Sequence, residues 1–399
     1  MESLGLYISV PFCRSKCSYC NFASGVFPEA RQGQYIERLV KDIVRARDQA
    51  ASLGAQVLRQ VDSVYLGGGT PSILAPNLLR RLFSALRSEF EFTATPEITM
   101  ECAPGQIEDG LLAAMVECGV NRVSFGVQSF IDREAAVTGR LHTRDIALCD
   151  IARVRSAVIR SINADLIAGL PHQTMDSWLE SLEVLIDSKV DHASVYMLEV
   201  DDDSRLGREV LGGGARYYAP AIPSDDAIAD MYSAAIDVLA ESGLKPYEIS
   251  NFARAGAESV HNMKYWLRKP YLGLGVDAHS MLRGSDRQAF RFGTTDDLQQ
   301  YLSAPGWDEA SSLTALEELE EAWFLGLRLN AGVSLREIED EFGREAMGPY
   351  EAIVDDLVSD GLLVRHADQI SLTLRGRMLS NDVFARFIDV TETHDLTAV

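Results

Sequence analysis

Three of the six cysteines in this chain fall within eight residues, Cys13, Cys17 and Cys20, in the spacing C-x3-C-x2-C. Thiolates this close together on one loop converge on a single inorganic centre. A [4Fe–4S] cluster with full protein ligation takes four cysteines, so three leave one iron short of a protein ligand. An open coordination position is what separates a reactive metal centre from a structural one. A structural zinc ion would need a fourth ligand from a second C-x2-C pair or a histidine, and none lies nearby. Three unrelated core cysteines would not account for such spacing on a polar loop. Cys102, Cys118 and Cys149 stand alone, and six cysteines in 399 residues are too sparse for a disulfide scaffold.

A second group of residues sits where apolar runs end. Glu101 closes EITMEC, Gln128 closes RVSFGVQ, Asp165 interrupts INADLIAG and Glu199 closes ASVYMLE. Gly67-Gly68-Gly69-Thr70-Pro71 follows VYL. Glycines there allow backbone N–H and C=O groups to approach a ligand, so an amino and carboxylate group would be held by exposed backbone. Singly, each feature is more often a cap, a solvated charge or a plain turn. Together, beside a cluster, they outline one rim.

The elements that must position these residues alternate. Strand candidates cover 6–10, 63–69, 97–102, 122–128, 162–169 and 193–199. Helical spacing appears between them, as in Ile36, Leu39, Val40, Ile43 and Val44, or Leu78, Leu79, Leu82, Phe83 and Leu86. Six β-then-α units predict a parallel α/β sheet with right-handed crossovers, either a partial (β/α)6 TIM-like barrel or an open doubly wound sheet. Chemistry in such folds sits at the carboxyl ends of the strands. The expected division is a core over 1–236, an extension over 237–312 and a carboxyl-terminal domain over 313–399. That last section runs helix, helix, helix and a strand pair, the order of a winged helix.

Charge limits the partners. The chain carries 59 acidic and 37 basic residues, a formal net charge of −22, and 313–399 alone holds 18 acidic against 7 basic residues. Such a surface repels a phosphate backbone, which argues against nucleic acid and against a tRNA-modifying role. The amino terminus has no signal-like pattern and no apolar run reaches 18 residues, so a cytoplasmic protein is expected.

The segments YISVPFCRSKCSYC, YLGGGTPS, MECAPG, NRVSFGVQSF and NADLIAGLP closely resemble the coproporphyrinogen III oxidase-like branch of the radical SAM superfamily. EISNFARAG, HNMKYW and YLGLGVDAHS extend the likeness to residue 280, and the carboxyl-terminal section fits the branch too. Within it the chain is most similar to haem chaperones of the HemW type. Phe22 stands where the oxidases carry a fourth cysteine, little chain precedes Cys13, and His261-Asn262-Met263-Lys264-Tyr265-Trp266 fits the HNxxYW signature of the chaperones. The resemblance implies a [4Fe–4S] cluster on Cys13, Cys17 and Cys20 with S-adenosyl-L-methionine (SAM) on its open iron. It implies SAM contacts at Tyr7, Gly68, Gly69, Thr70, Glu101, Gln128, Arg140 and Asp165, and haem on His261. Ser9 and Ala103 depart from the His and Asn usual in the family.

From its residues alone, HNMKYW reads first as a core histidine packed under aromatics, although neutral imidazole suits haem iron and aromatic faces suit a macrocycle. His279 is a second candidate. The function implied is transfer of haem to an acceptor protein, with the cluster and SAM supporting assembly, peripheral membrane docking or transfer. The alternative is a radical SAM enzyme, the oxygen-independent coproporphyrinogen III oxidase being nearest.

Overall fold

The computed structural model describes residues 2–388 apart from 203, 305, 308 and 309. Residues 389–399 of the expected last domain, and part of the stretch 303–313, lie outside that set.

The six expected strands form: β1 (Leu4–Val10), β2 (Gln60–Gly68), β3 (Glu91–Cys102), β4 (Arg122–Gln128), β5 (Ser161–Ala168) and β6 (His192–Met197). They pair in parallel and in sequence order. Crossovers are made by α1 (Ala30–Ser52), α2 (Pro76–Glu89), α3 (Asp109–Cys118), α4 (Asp132–Val137), α5 (Arg144–Ser156) and α6 (Met175–Asp187). Ile36, Leu39, Val40 and Ile43 of α1 are buried, as the helical spacing predicts, together with Tyr35, whereas Val44 of the expected face is exposed.

Alternation along each strand divides the sheet's faces. Leu6, Ile8, Val64, Leu66, Met100, Val123 and Phe125 are buried in the main apolar core. The intervening residues are polar or aromatic: Tyr7, Tyr65, Thr99, Glu101, Ser124, Asn163, Asp165 and Ser194. Glu101 on β3 is close enough to Asp165 on β5 for the two charges to raise each other's cost. Side chains that far apart in strand order meet because the sheet curves into a partial barrel, and its inner face is therefore the polar one.

The segment after β6 extends this sheet on both sides. It holds α7 (Arg205–Leu211), α8 (Asp225–Glu241), β7 (Lys245–Pro246), β8 (Asn251–Ala253), α9 (Val260–Trp266) and β9–β12 (Tyr271–Leu274, Ser280–Arg283, Ala289–Phe292, Ser311–Ser312). β8 pairs antiparallel with β6, while β9 pairs parallel with β1. The expected boundary at 236/237 thus falls inside α8, and the extension completes the sheet.

Beyond it, helices Ala315–Gly326, Leu335–Phe342 and Arg344–Ser359 lead into the strand pair Leu363–His366 and Gln369–Leu372. Trp323, Tyr350 and Phe387 stack in a separate core there, with Trp323 4.9 Å from Phe387 and 5.7 Å from Tyr350. Ile249, next to β8, inserts into that core and joins the two parts. Among the described residues no helix is long and apolar enough to cross a membrane.

Candidate functional site

The chain leaves β1 at Val10 and enters the cysteine loop at the carboxyl edge of the sheet. The loop is pinned at both ends. Cys13 N–H donates to Gly25 O at 2.9 Å, and Ser18 N–H to Thr138 O at 3.1 Å. Ser15 Oγ donates to Gly139 O at 2.9 Å. All three cysteines are free, half-buried and on the wall of a cavity of about 1120 Å3. Burial pushes the Cys20 thiol up, Lys16 works against that, and Cys17 and Cys13 are near enough to add to it. Thr70 Oγ1 lies 3.6 Å from Cys13 Sγ. Among the described residues no three His, Cys, Asp or Glu side chains converge tightly enough for a single metal ion. Three cysteines on one pinned loop at the cavity wall are the residues that would hold a cluster, each on a different iron.

The strand-end residues Gly68, Gly69, Thr70, Glu101, Gln128, Arg140, Asp165 and Glu199 line the same cavity. One expectation needs correcting. Gly69 N–H donates to Val10 O at 2.9 Å and Thr70 N–H to Phe12 O at 2.8 Å, and Gly68 N–H serves Glu101. The Gly69 and Thr70 N–H groups bind the rim to the segment that leads into the cysteine loop, Gly68 N–H is taken by Glu101, and these three donors are not presented to a ligand. Gly69 is required for that closeness, since a Cβ there would stand 2.7 Å from Val10 O and 2.8 Å from Phe12 O.

Burial chiefly raises Glu101 to about 7, with the Asp165 charge adding to it, while Tyr65 Oη, donating at 2.9 Å, opposes the rise. Burial also raises Asp165, against hydrogen bonds from Ser194 and from Asn163 Nδ2 at 2.7 Å. Arg140 donates to Tyr19 Oη at 2.8 Å, and its Nε is buried with no partner. Gln128 sits at a register shift with φ 72°, a left-handed conformation that is strained for a residue with a Cβ. Strain of this kind gathers at functional sites.

Four further lining residues escaped the sequence reading: Tyr19, Gln106, His142 and Arg328. Burial and then Arg140 push His142 down to about 4, and its Nε2 is buried without a partner, as is Gln106 Oε1. Tyr19 could have been found, since it lies inside the cysteine motif. The others carry no local signal.

Tyr7 and His261 do not line the cavity. Tyr7 lies one layer deeper, its ring 6.2 Å from Tyr65. His261 is 0% exposed on α9, which closes the amino-terminal end of the barrel. Its Nδ1 lies 3.0 Å from Ser63 Oγ and its Nε2 2.9 Å from Tyr265 Oη. Glu97 accepts the N–H groups of Val260 and His261, each at 3.0 Å. Lys264 of the same helix pairs with Asp62 at 2.8 Å. Burial, with Lys264 and Arg122 adding, pushes His261 down to about 3. His279 has a side chain 73% exposed, 3.6 Å from Asp277.

A three-thiolate loop on the carboxyl edge of a partial β/α barrel, ringed by buried carboxylates, defines the radical SAM class. Residues 7–185 match the radical SAM superfamily, and residues 313–379 match the HemN C-terminal domain. "Heme chaperone HemW" of Lactococcus lactis is 32% identical over 96% of this chain and 96% of its own length. The chain belongs to the HemW family of radical SAM proteins. "Radical S-adenosyl methionine domain-containing protein 1, mitochondrial" of Mus musculus is 34% identical over 90% of this chain and 81% of its own. Coproporphyrinogen III oxidase (HemN) of Escherichia coli, a solved structure, superposes with a TM-score of 0.83 at 25% identity, covering 97% of this chain and 90% of its own.

Proposed function

We propose that this chain is a haem chaperone, binding haem together with a SAM-coordinated [4Fe–4S] cluster and passing the haem to an acceptor protein. The observation that carries the reading is similarity to "Heme chaperone HemW" along nearly the whole of both chains. When bound, the cluster supplies single electrons and an iron to which the amino-acid end of SAM attaches. Arg140, with its free Nε, and Asp165 orient the nucleoside part, while Glu101 is poised to hold or release a proton near neutrality. The apolar wall near Val195, Met197 and Leu198 keeps water from the ligands. Transfer of intact haem breaks no covalent bond in it, so the chain's task is binding and release.

His261 enters this reading only in an opened form. Both ring nitrogens are engaged in the closed one, so haem ligation there requires α9 to leave the barrel base.

Anaerobic reconstitution with iron and sulfide, followed by haem titration with and without SAM, tests the proposal. A saturable change in haem absorbance is expected. Absence of haem binding, or conversion of coproporphyrinogen III under reducing conditions, would replace this reading with the enzymatic one.

A further inference from the structure

The cavity has a wall built by the carboxyl-terminal part of the chain. Arg328, Met378, Leu379, Ser380, Asn381 and Asp382 line it, beside Ser250 from the edge of the barrel. Arg328 is unusual there. Its guanidinium carbon lies 4.3 Å from the centre of the Trp266 ring and 6.0 Å from that of Phe384. Its Nε is buried with no partner, and it forms no ion pair among the described residues. Its neighbours differ. Arg268 pairs with Glu341 at 2.6 Å, Arg283 with Glu318 at 2.9 Å and Arg291 with Glu321 at 2.6 Å. In a chain with 59 carboxylates and 37 basic residues, a guanidinium left without one is a conspicuous omission.

Glu248 is the buried carboxylate within electrostatic reach: burial raises its pKa and Arg328 lowers it, but no ion pair or hydrogen bond among the described residues joins the two, and Glu248 Oε2 has no partner. Arg377, half-buried and lacking any ion pair among the described residues, acts on Tyr232 and Glu248 as Arg328 does. Arg328 lines the cavity, and Arg377 lies behind it near the same carboxylate. A guanidinium with a buried, unused donor and no bonded carboxylate is suited to a planar carboxylate that meets it through two parallel hydrogen bonds. Aromatic faces hold the fork in one orientation beforehand.

We propose that Arg328 is the carboxylate subsite of the cavity, taking a propionate of the tetrapyrrole. This rests on the haem-binding reading. Trp266, the last residue of HNMKYW, thereby gains a role distinct from that of His261: it positions Arg328.

The test compares haem with its dimethyl ester on the reconstituted wild-type protein, then on Arg328→Met and Arg328→Lys, each with and without SAM. Wild type should prefer haem over the ester by about tenfold to a hundredfold, the worth of one charge-assisted hydrogen bond. Arg328→Met should lose that preference while keeping its cluster absorbance, and Arg328→Lys should keep part of it. Equal binding of haem and ester by wild type would overturn the subsite while leaving the haem reading intact. SAM affinity that falls in Arg328→Met, with the haem preference unchanged, would assign the arginine to the SAM carboxylate and also overturn it. Wild type that binds neither tetrapyrrole would remove both readings together.

Discussion

The two ends of this barrel differ in how their histidines are satisfied, although orphaned groups such as Ser161 Oγ and Trp266 Nε1 occur at the base as well. At the base, His261 spends both ring nitrogens, His192 bonds Asn163 at 2.7 Å and Tyr247 at 2.9 Å, and Glu97 accepts two backbone N–H groups. At the rim, Arg140 Nε, His142 Nε2 and Gln106 Oε1 are buried with nothing to bond. Buried polar groups are normally satisfied, so an orphan on a cavity wall marks a place completed by a ligand. Arg122, on the inner face between the two ends, also has an orphan Nε. The contrast shows why one residue type, histidine, has different meanings at the two ends.

The largest effect belongs to the rim's cluster. Cys17→Ala should abolish iron and acid-labile sulfide after anaerobic reconstitution, because two thiolates do not retain a cluster that three hold; retention of full iron content would break the assignment. Next comes one substitution made at both ends. His261→Ala leaves Ser63 and Tyr265 unpaired in the interior and should lower unfolding stability by about 2–4 kcal/mol in urea titrations. His142→Ala removes no Nε2 hydrogen bond, so it should be milder in the same titration and weaken SAM or haem binding instead. If the two variants were equally unstable, the contrast between the ends would fail.

The smallest effect is on pH dependence. His142 and His261 ionise at about 4 and about 3 in the folded protein, against about 6.5 when unfolded. Between those values the unfolded chain binds more protons, so stability should fall as pH drops below 6.5. Glu101, raised to about 7, binds its proton in the folded state where the unfolded chain has lost it. Its contribution is present below about 4.5 and is lost as pH rises through 7. Urea midpoints at pH 4.5, 6 and 8 for wild type, His261→Gln and Glu101→Gln separate the two: the first variant should flatten the acid loss, the second the loss between pH 4.5 and about 7.

Much of this was legible in the sequence. The six main strands stand out because Leu6, Ile8, Val64, Leu66 and their kind mark one face, and a polar residue falls in or near the carboxyl end of four of them. The cysteine spacing located the rim. What was hidden depends on partners distant in the chain. HNMKYW has the same local pattern whether it binds a ligand or packs in a barrel base, and the contacts that hold it in the base here, Ser63 and Glu97, lie 198 and 164 residues from His261. Lys245–Pro246 and Asn251–Ala253 are too short to show strand periodicity. The left-handed turn at Gln128 carries no glycine to signal it, and Arg328 is a lone basic residue in an acidic stretch.

Residues 378–382 form part of the cavity wall although they come from the far end of the chain. The cavity that holds the cysteine loop thus takes part of its wall from the neighbouring domain. Loosening that contact, by truncation or by a docking acceptor, would admit solvent and dioxygen together, and tolerance to air becomes a reporter of how firmly the two parts are closed.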